Sequence, residues 1–109
     1  MWARAVIGAG ALALSACAGA GTVDPGAPGG WFWFKVASAD ERVAFYQARC
    51  GDQPGCVEAE FKRQALQSCL TQAMRDTRDE PPAERLEEQR EDQRICANRL
   101  LLPHGVQIR

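Results

Sequence analysis

The sequence lacks the residue patterns on which most catalytic and metal sites are built. Its one histidine, His104, lies between Pro103 and Gly105 near the carboxyl end, where we expect a solvated tail residue. There is no G-x-S-x-G nucleophile motif, no phosphate-binding loop, no HExxH pair and no C-x2-C pair. We therefore predict a chain that is not an enzyme, carries no cofactor and binds no metal.

An excess of positive charge is also missing. The chain has 13 lysines and arginines against 14 aspartates and glutamates. Domains that bind nucleic acid usually carry a basic surface, because the phosphate backbone attracts it. This balance excludes DNA and RNA as expected partners.

No apolar run is long enough to cross a bilayer as a helix, which takes about 20 residues. The apolar stretch Ala5–Leu14 is shorter than that. It follows Arg4 and precedes small residues, the order typical of a secretory signal peptide. We predict that residues 1–16 are such a signal and are removed on export.

The tetrapeptide Leu14-Ser15-Ala16-Cys17 resembles the lipobox of bacterial lipoproteins. The resemblance implies that Cys17 is lipidated, becomes the first residue of the mature protein and holds it to a membrane through acyl chains. Ala18 is not the aspartate that commonly retains lipoproteins at the inner membrane, so the outer membrane, on its periplasmic side, is implied. The alternative is an ordinary signal peptide with a cysteine at its cleavage site.

The residues after the signal divide into a tether and one small body. Residues 18–30, AGAGTVDPGAPGG, are dominated by glycine, alanine and proline, which bury too little surface to offset the entropy of ordering. We predict that residues 17–30 are the lipidated cysteine and a flexible tether. Residues 31–109 are then enough for one small domain and too few for two.

Four cysteines follow Cys17, and an even number in a short exported chain predicts two disulfides. They are Cys50, Cys56, Cys69 and Cys96. A continuous helix through Cys56 and Cys69 separates them by 13 residues, about 20 Å, which is far beyond disulfide reach. A hairpin that turns near Glu80 favours Cys69 with Cys96, which leaves Cys50 with Cys56. A zinc site is the rival interpretation, but the ligand spacing it requires is missing.

Helical patterns predict an all-α fold, a small disulfide-stapled body of two or three helices. Ser38-Ala39-Asp40-Glu41 is a capping-box pattern, so a first helix begins there and runs to about Arg49. From Val57 onward, apolar residues recur at spacings of three and four, which predicts a second helix that the segment Asp79–Pro82 ends. The third helix runs from about Ala83 to Leu101 and turns its apolar residues inward, namely Leu86, Cys96, Ala97, Leu100 and Leu101.

Between Glu87 and Arg94 the third helix is wholly polar, with the sequence EEQREDQR. Glu87 can pair with Arg90, and Glu91 with Arg94, at a spacing that stabilises helices by a few tenths of a kcal/mol, roughly. We interpret this run as a solvated face. The alternative is a charged docking stripe for a partner helix.

Residues 31–34, Trp-Phe-Trp-Phe, form an uninterrupted aromatic run. In an extended segment the two indoles would lie on one side and the two phenyl rings on the other. A small helical body is short of large side chains, so we expect some of these rings to cover the core near Phe45, Phe61 and Met74. We also predict that Trp31 or Trp33 stays partly outside and contacts a partner or the membrane headgroup region.

Residues from about 14 to 60 follow a recognisable order: a lipobox, a short linker, an aromatic cluster, a Glu-Arg pair, a cysteine, and a second cysteine shortly before an alanine. The residues in this order are Cys17, Trp33, Phe34, Glu41, Arg42, Cys50, Cys56 and Ala59. In this order the chain is similar to small entry-exclusion lipoproteins of conjugative elements. The resemblance implies a protein that blocks redundant plasmid transfer by meeting a component of an incoming secretion apparatus. The segment between Cys50 and Cys56 is short for that family, and the Cys69–Cys96 hairpin is additional to it.

We therefore predict a non-enzymatic binding protein of the cell envelope, with the membrane and an envelope protein as partners. Two other classes stay open. An inhibitor of a periplasmic hydrolase needs a rigid loop, for which GDQPG between Cys50 and Cys56 is a candidate. A spanin-like structural lipoprotein that links two membranes needs a proline-rich or long coiled segment, and the chain has neither.

Overall fold

The computed structural model describes residues 24–109, and every regular element in that range is helical. The elements are α1 (Trp31–Val36), α2 (Ala39–Cys50), α3 (Cys56–Asp76), α4 (Pro82–Leu101) and a 3-10 turn, Leu102–His104. This result confirms the all-α fold class. Helix α1 is the element that the sequence did not predict.

Helix α2 begins as the capping-box pattern predicts. The Ser38 hydroxyl accepts a hydrogen bond from the Glu41 amide at 3.1 Å, and the Glu41 carboxylate accepts one from the Ser38 amide at 2.9 Å. These reciprocal bonds satisfy amides that the start of a helix leaves without partners. The helix ends at Gly51, whose φ of 60° lies in the left-handed region that glycine adopts without strain.

Helices α3 and α4 form a hairpin joined by residues 77–81. The Thr77 hydroxyl donates to the Ala73 carbonyl at 2.9 Å, which satisfies one of the last carbonyls of α3. Helix α4 starts at Pro82, a position where the missing amide proton of proline costs nothing. The adjacent prolines therefore end one helix and begin the next.

Both predicted disulfides are present, Cys50–Cys56 and Cys69–Cys96. Their Cα atoms are 5.7 Å and 5.8 Å apart, within the usual range for a disulfide. The first bridge closes the loop between α2 and α3, and the second joins α3 to α4. The hairpin register inferred from the sequence is thus confirmed.

The hydrophobic core lies where α1, α2, α3 and the carboxyl end of α4 meet. Its buried members are Phe34, Tyr46, Phe61, Ala65, Cys69, Ala97 and Leu101. The Phe61 ring lies at the centre, with its centroid 5.8 Å from that of Phe34 and 5.7 Å from that of Tyr46. Tilted and edge-on contacts of this kind are the favoured geometries of aromatic pairs.

Two residues that we predicted to lie at the core are exposed instead. The exposed fraction is 52% for Met74 and 54% for Leu86. Neither belongs to the hydrophobic cluster that α1, α2 and the end of α4 form with α3. The prediction was wrong because it assumed a core along the whole hairpin, whereas α1 and α2 cover one end of it. The inward prediction holds for Ala97 and Leu101, which are buried.

Candidate functional site

Helix α1 carries both predicted binding residues, Trp31 and Trp33, and it is not the extended segment that we predicted. A helix of six residues is marginal alone, because ordering its backbone gains few internal hydrogen bonds. Here the Trp33 amide donates to the carbonyl of Pro25 at 2.8 Å. A carbonyl outside the helix therefore accepts from a backbone amide of its first turn. A sequence pattern does not reveal such a contact.

Residues 24–30, which we predicted as part of the tether, form turns against α1. The Ala27 amide donates to the Asp24 carbonyl at 3.0 Å, and the Gly30 amide donates to the Ala27 carbonyl at 2.8 Å. A Cβ atom at Gly30 would lie 2.4 Å from the Asp24 carbonyl oxygen, so only glycine fits there. From Asp24 onward the chain approaches α1 along one defined path.

The helical period of α1 separates its side chains into an inner and an outer set. Phe34 points inward and has no exposed surface. Trp33 is half-buried, with its ring centroid 5.0 Å from that of Phe45. Phe32 and Val36, four residues apart, are 47% and 63% exposed. The alternation expected of an extended segment is therefore wrong, and the outer face carries a phenyl ring and a valine.

Trp31 fixes the amino end of α1 to the middle of α3. The Ser68 hydroxyl lies 2.6 Å from the Trp31 carbonyl oxygen and 2.7 Å from that of Gln64, so these two carbonyls share its one proton. The half-buried Trp31 ring makes an edge-on contact with Phe32 at 6.0 Å between centroids. Both indoles are thus partly exposed, and they pack on different neighbours. Their predicted role in binding stays a prediction.

Arg42 holds the carboxyl ends of two helices together. Its side chain is buried, and Nε donates to the Phe34 carbonyl at 2.7 Å. Nη1 donates to the Leu100 carbonyl at 3.0 Å, and Nη2 lies 3.4 Å from the Lys35 carbonyl oxygen. The guanidinium carbon also lies 4.3 Å from the centre of the Phe34 ring. One residue of α2 therefore connects the end of α1 to the end of α4.

The positive charge of Arg42 has an unusual environment. Among residues 24–109 it forms no salt bridge. Its partners are carbonyl groups at helix carboxyl ends, which carry the partial negative charge of the helix dipole. Burial lowers the pKa of the guanidinium, although arginine stays charged in proteins. Helix dipoles and a ring face therefore take the place of a carboxylate partner.

His104 is not the solvated tail residue that we predicted. Its ring centroid lies 4.3 Å from that of Phe61, and Nε2 lies 3.2 Å from Nη1 of Arg42. Because arginine only donates, Nε2 is the unprotonated acceptor and the ring is neutral in this arrangement. Burial, followed by the charge of Arg42, lowers the pKa of His104. The prediction failed because the 3-10 turn after α4 folds His104 back onto the core.

The last residues of the chain also contact the folded body. The Ile108 amide donates to the Asn98 side-chain oxygen at 2.7 Å, and the Asn98 side-chain amide donates to the Ile108 carbonyl at 3.0 Å. Val106 and Ile108 pack against the core as half-buried residues. The carboxyl end therefore adds cover to the end of α4, at the same end of the molecule as α1.

The disulfide loop presents a second exposed feature. All five residues between the cysteines of the first bridge, Gly51 to Gly55, are exposed. The Gln53 amide donates to the Cys50 carbonyl at 3.2 Å, and the Cys56 amide donates to the Gln53 carbonyl at 3.3 Å. Two turns and a cross-link thus fix the loop while its surface stays open.

The remaining predicted site residue, Cys17, lies outside the described residues. Within residues 24–109 we find no group of three or more metal-ligating side chains. No helix in that range has the length and apolar character needed to cross a membrane. Comparisons with protein-family models, with curated proteins and with solved structures found no significant match to this chain.

The role of Arg42 was not predicted from the sequence, in which this residue stands out only as part of a Glu-Arg pair. A usable signal exists, because Arg42, Tyr46 and Cys50 follow one another at a spacing of four and are all buried on α2. A charged residue in the apolar stripe of a helix indicates a buried partner. Its partners lie up to 62 positions away, so sequence alone does not identify them.

Proposed function

We propose that the protein is an outer-membrane lipoprotein that faces the periplasm and acts as a non-enzymatic binding protein. The lipobox-like sequence that ends in Cys17 carries the proposal. The two disulfides support it, because such bridges persist in oxidising compartments such as the periplasm. They use four of the five cysteines, and the fifth is Cys17.

Metabolic labelling tests the anchor. The full precursor is produced in a Gram-negative host with radioactive palmitate, beside a Cys17→Ala variant and a Cys50→Ala/Cys56→Ala control. We expect the native chain and the control to be labelled and to sediment with the outer membrane, and the Cys17→Ala chain to be unlabelled. An unlabelled native chain, or label that persists in the Cys17→Ala variant, contradicts the proposal.

We further propose entry exclusion, or binding to a secretion apparatus, as the role of this lipoprotein. Apart from Cys17, which lies outside the described residues, the residues that carry the resemblance lie in α1, α2 and the start of α3. Glu41 caps α2, Arg42 joins two helix ends, and Phe34 fills the core. These three shape the body rather than offer contacts. Any partner must therefore bind the exposed side chains that they position.

A mating assay tests this role. Recipient cells that produce the native chain, the Cys17→Ala variant or an empty vector are mated with donors that carry a panel of conjugative plasmids. We expect the native chain to lower the transfer of at least one plasmid group, and the unanchored variant to be ineffective. Equal transfer into all three recipients across the panel contradicts entry exclusion.

The second candidate, an inhibitor of a periplasmic hydrolase, is favoured by the disulfide loop. Inhibitory loops are rigid and exposed, so that little entropy is lost on binding. Residues 51–55 have both properties. Lysis of purified cell walls by a panel of periplasmic hydrolases tests this role. Inhibition by the native chain that Gln53→Ala/Pro54→Ala abolishes supports it, and no inhibition at any concentration contradicts it.

A further inference from the structure

We infer that the outer face of α1, formed by Phe32, Val36 and the exposed part of Trp31, rests in the headgroup region of the membrane to which Cys17 is attached. The inference rests on the proposed lipid anchor. The folded body then lies on the bilayer in one orientation, with α1 against the lipid and the turn of the α3–α4 hairpin directed away from the membrane.

The chain between Cys17 and α1 is short. The described chain begins beside α1, since the carbonyl of Pro25 accepts a hydrogen bond from the Trp33 amide at 2.8 Å. Seven residues lead from Cys17 to Asp24. Fully extended, such a segment spans at most about 25 Å, and as a coil it spans about 15 Å. A lipid on Cys17 therefore keeps α1 near the bilayer surface.

Helix α1 combines exposed apolar side chains with one exposed lysine. Helix α1 has the sequence WFWFKV, with no acidic residue and with Lys35 exposed in its last turn. Aromatic side chains favour the membrane–water interface, and a lysine beside them is attracted to anionic lipid phosphates. Phe32 and Val36 both project from the side opposite the buried Phe34. The face therefore has the composition of an interfacial helix.

The carboxyl end of α4 lies beside the carboxyl end of α1. The Arg42 guanidinium binds the Lys35 carbonyl and the Leu100 carbonyl, so the carboxyl ends of α1 and α4 are neighbours. Leu102, two residues after Leu100, is 78% exposed and is the most exposed large apolar residue in the described chain. An exposed apolar side chain thus follows the end of α4 that Arg42 joins to the end of α1.

The other exposed apolar residues do not form such a face. Leu86 lies among charged residues in the sequence AERLEEQR, and Met74 is followed directly by Arg75 and Asp76. Ile95, which is 39% exposed, lies between Arg94 and the disulfide-bonded Cys96. Single exposed apolar side chains are normal on proteins and need no partner. Among residues 24–109, α1 is the one helix on which large exposed apolar side chains lie on a shared face close to the predicted anchor.

The test supplies the anchor chemically, so that it does not depend on natural lipidation. The chain from Cys17 to Arg109, with both disulfides formed, is coupled through the Cys17 thiol to vesicles of phosphatidylethanolamine and phosphatidylglycerol that contain maleimide headgroups. Some of the lipids carry brominated acyl chains, which quench tryptophan fluorescence. Trp31 and Trp33 are the tryptophans of this chain, because the third, Trp2, lies in the predicted signal.

We expect bromine to quench the native anchored chain and the Phe32→Ser/Val36→Ser variant to lose most of that quenching. The matched control, Met74→Ser/Leu86→Ser, removes two comparably exposed apolar side chains and should be quenched like the native chain. Circular dichroism checks that all three chains are equally helical. If the native chain is not quenched, the inference is overturned and the face is left to a protein partner. If a folded Phe32→Ser/Val36→Ser variant is quenched as strongly as the native chain, the inference is overturned as well. Failure of palmitate labelling contradicts the natural anchor and leaves these outcomes unchanged.

Discussion

The two ends of the α3–α4 hairpin differ in what covers them. At the packed end, α1, α2 and the chain after α4 enclose Phe34, Phe61 and Leu101, each no more than 3% exposed. At the hairpin tip, residues 74–91, every side chain is exposed except Thr77, which is buried, and Gln89, which is half-buried. Helix α4 belongs to both ends, with charged residues in its first half and an apolar stripe in its second.

This difference shows how a small chain divides its limited apolar surface. A short domain buries a smaller fraction of its surface than a large one, so concentrating large side chains in one place completes at least one core. The tip is left to helix propensity, to pairs such as Glu91 with Arg94, and to the Cys69–Cys96 bridge at its border. Stability and the proposed membrane contact therefore lie at the same end.

The largest contrast between the two ends is expected from removing one large side chain at each. Phe34→Ala leaves a cavity beneath Arg42 and should lower the free energy of unfolding by about 3–5 kcal/mol. Leu86→Ala, at the tip, should change it by less than about 0.5 kcal/mol, because the side chain is already solvated. Urea denaturation of both variants measures the two values. Similar losses would show that the tip is packed as well.

The second prediction compares the two disulfides. Cys69–Cys96 closes a loop of 27 residues and Cys50–Cys56 a loop of 6, by sequence separation. Loop-closure entropy then gives contributions of about 3.5 kcal/mol and about 2 kcal/mol, with the larger value for the hairpin bridge. Replacing each pair by alanine and measuring thermal unfolding tests the order. If removal of Cys50–Cys56 lowers thermal stability more than removal of Cys69–Cys96, native-state contacts rather than chain entropy determine how much each disulfide stabilises the protein.

The third prediction concerns the residue that connects the helices of the packed end. Lysine in place of Arg42 keeps a positive charge but cannot reach three carbonyl groups at once, so buried acceptors lose their partners. We expect Arg42→Lys to destabilise the protein by about 2 kcal/mol. Arg63→Lys, at an exposed arginine that pairs with Glu60, is the control and should change stability by less than about 0.5 kcal/mol. If urea denaturation shows equal losses of stability for the two variants, Arg42 does not hold the helix ends together.

The smallest effect is the dependence of stability on the protonation of His104. Burial and the charge of Arg42 lower the folded pKa of His104 below its ordinary value of 6.5, so the unfolded chain binds this proton more readily. The contribution of neutral His104 to the free energy of unfolding is therefore complete above about pH 6.5, and it is lost as the pH falls through the folded pKa of His104. Urea midpoints of the native chain should decrease below pH 6.5 while those of His104→Gln stay flatter.

Glu41 and Glu91 affect stability at lower pH than His104 does. Hydrogen bonds lower the pKa values of Glu41 and Glu91 from 4.5, so their contributions are lost only in more acidic solution. An identical decline for the native chain and His104→Gln between pH 7 and pH 5 would show that His104 is not coupled to folding.

The features that the sequence predicted depend on residues close together in the chain. The Ser38–Glu41 capping box, the prolines before α4 and the three-and-four spacing in α3 are local signals, and the hairpin that they imply also predicts both disulfides. The helices α2 to α4 and their disulfides could therefore be predicted from local sequence signals and from the geometry of one hairpin.

The features that the sequence did not predict depend on distant contacts. Helix α1 is completed by the Pro25 carbonyl and by Arg42, and His104 is placed by Arg42 across 62 positions. An aromatic run carries no period that distinguishes a helix from a strand, so its two faces became evident only once its neighbours were known. The same reason explains why Phe32 and Val36 were not predicted as the exposed pair.

Hydrogen exchange measured by mass spectrometry compares both ends of the molecule in one experiment. The chain is examined free in solution and coupled through Cys17 to maleimide vesicles, and the rates of α1 and of the hairpin tip are followed. If α1 rests on the membrane, anchoring slows exchange in residues 31–36 and leaves residues 78–91 unchanged. Slowed exchange at the tip with none in α1, or identical rates in both states, would contradict the orientation and the role assigned to the aromatic helix.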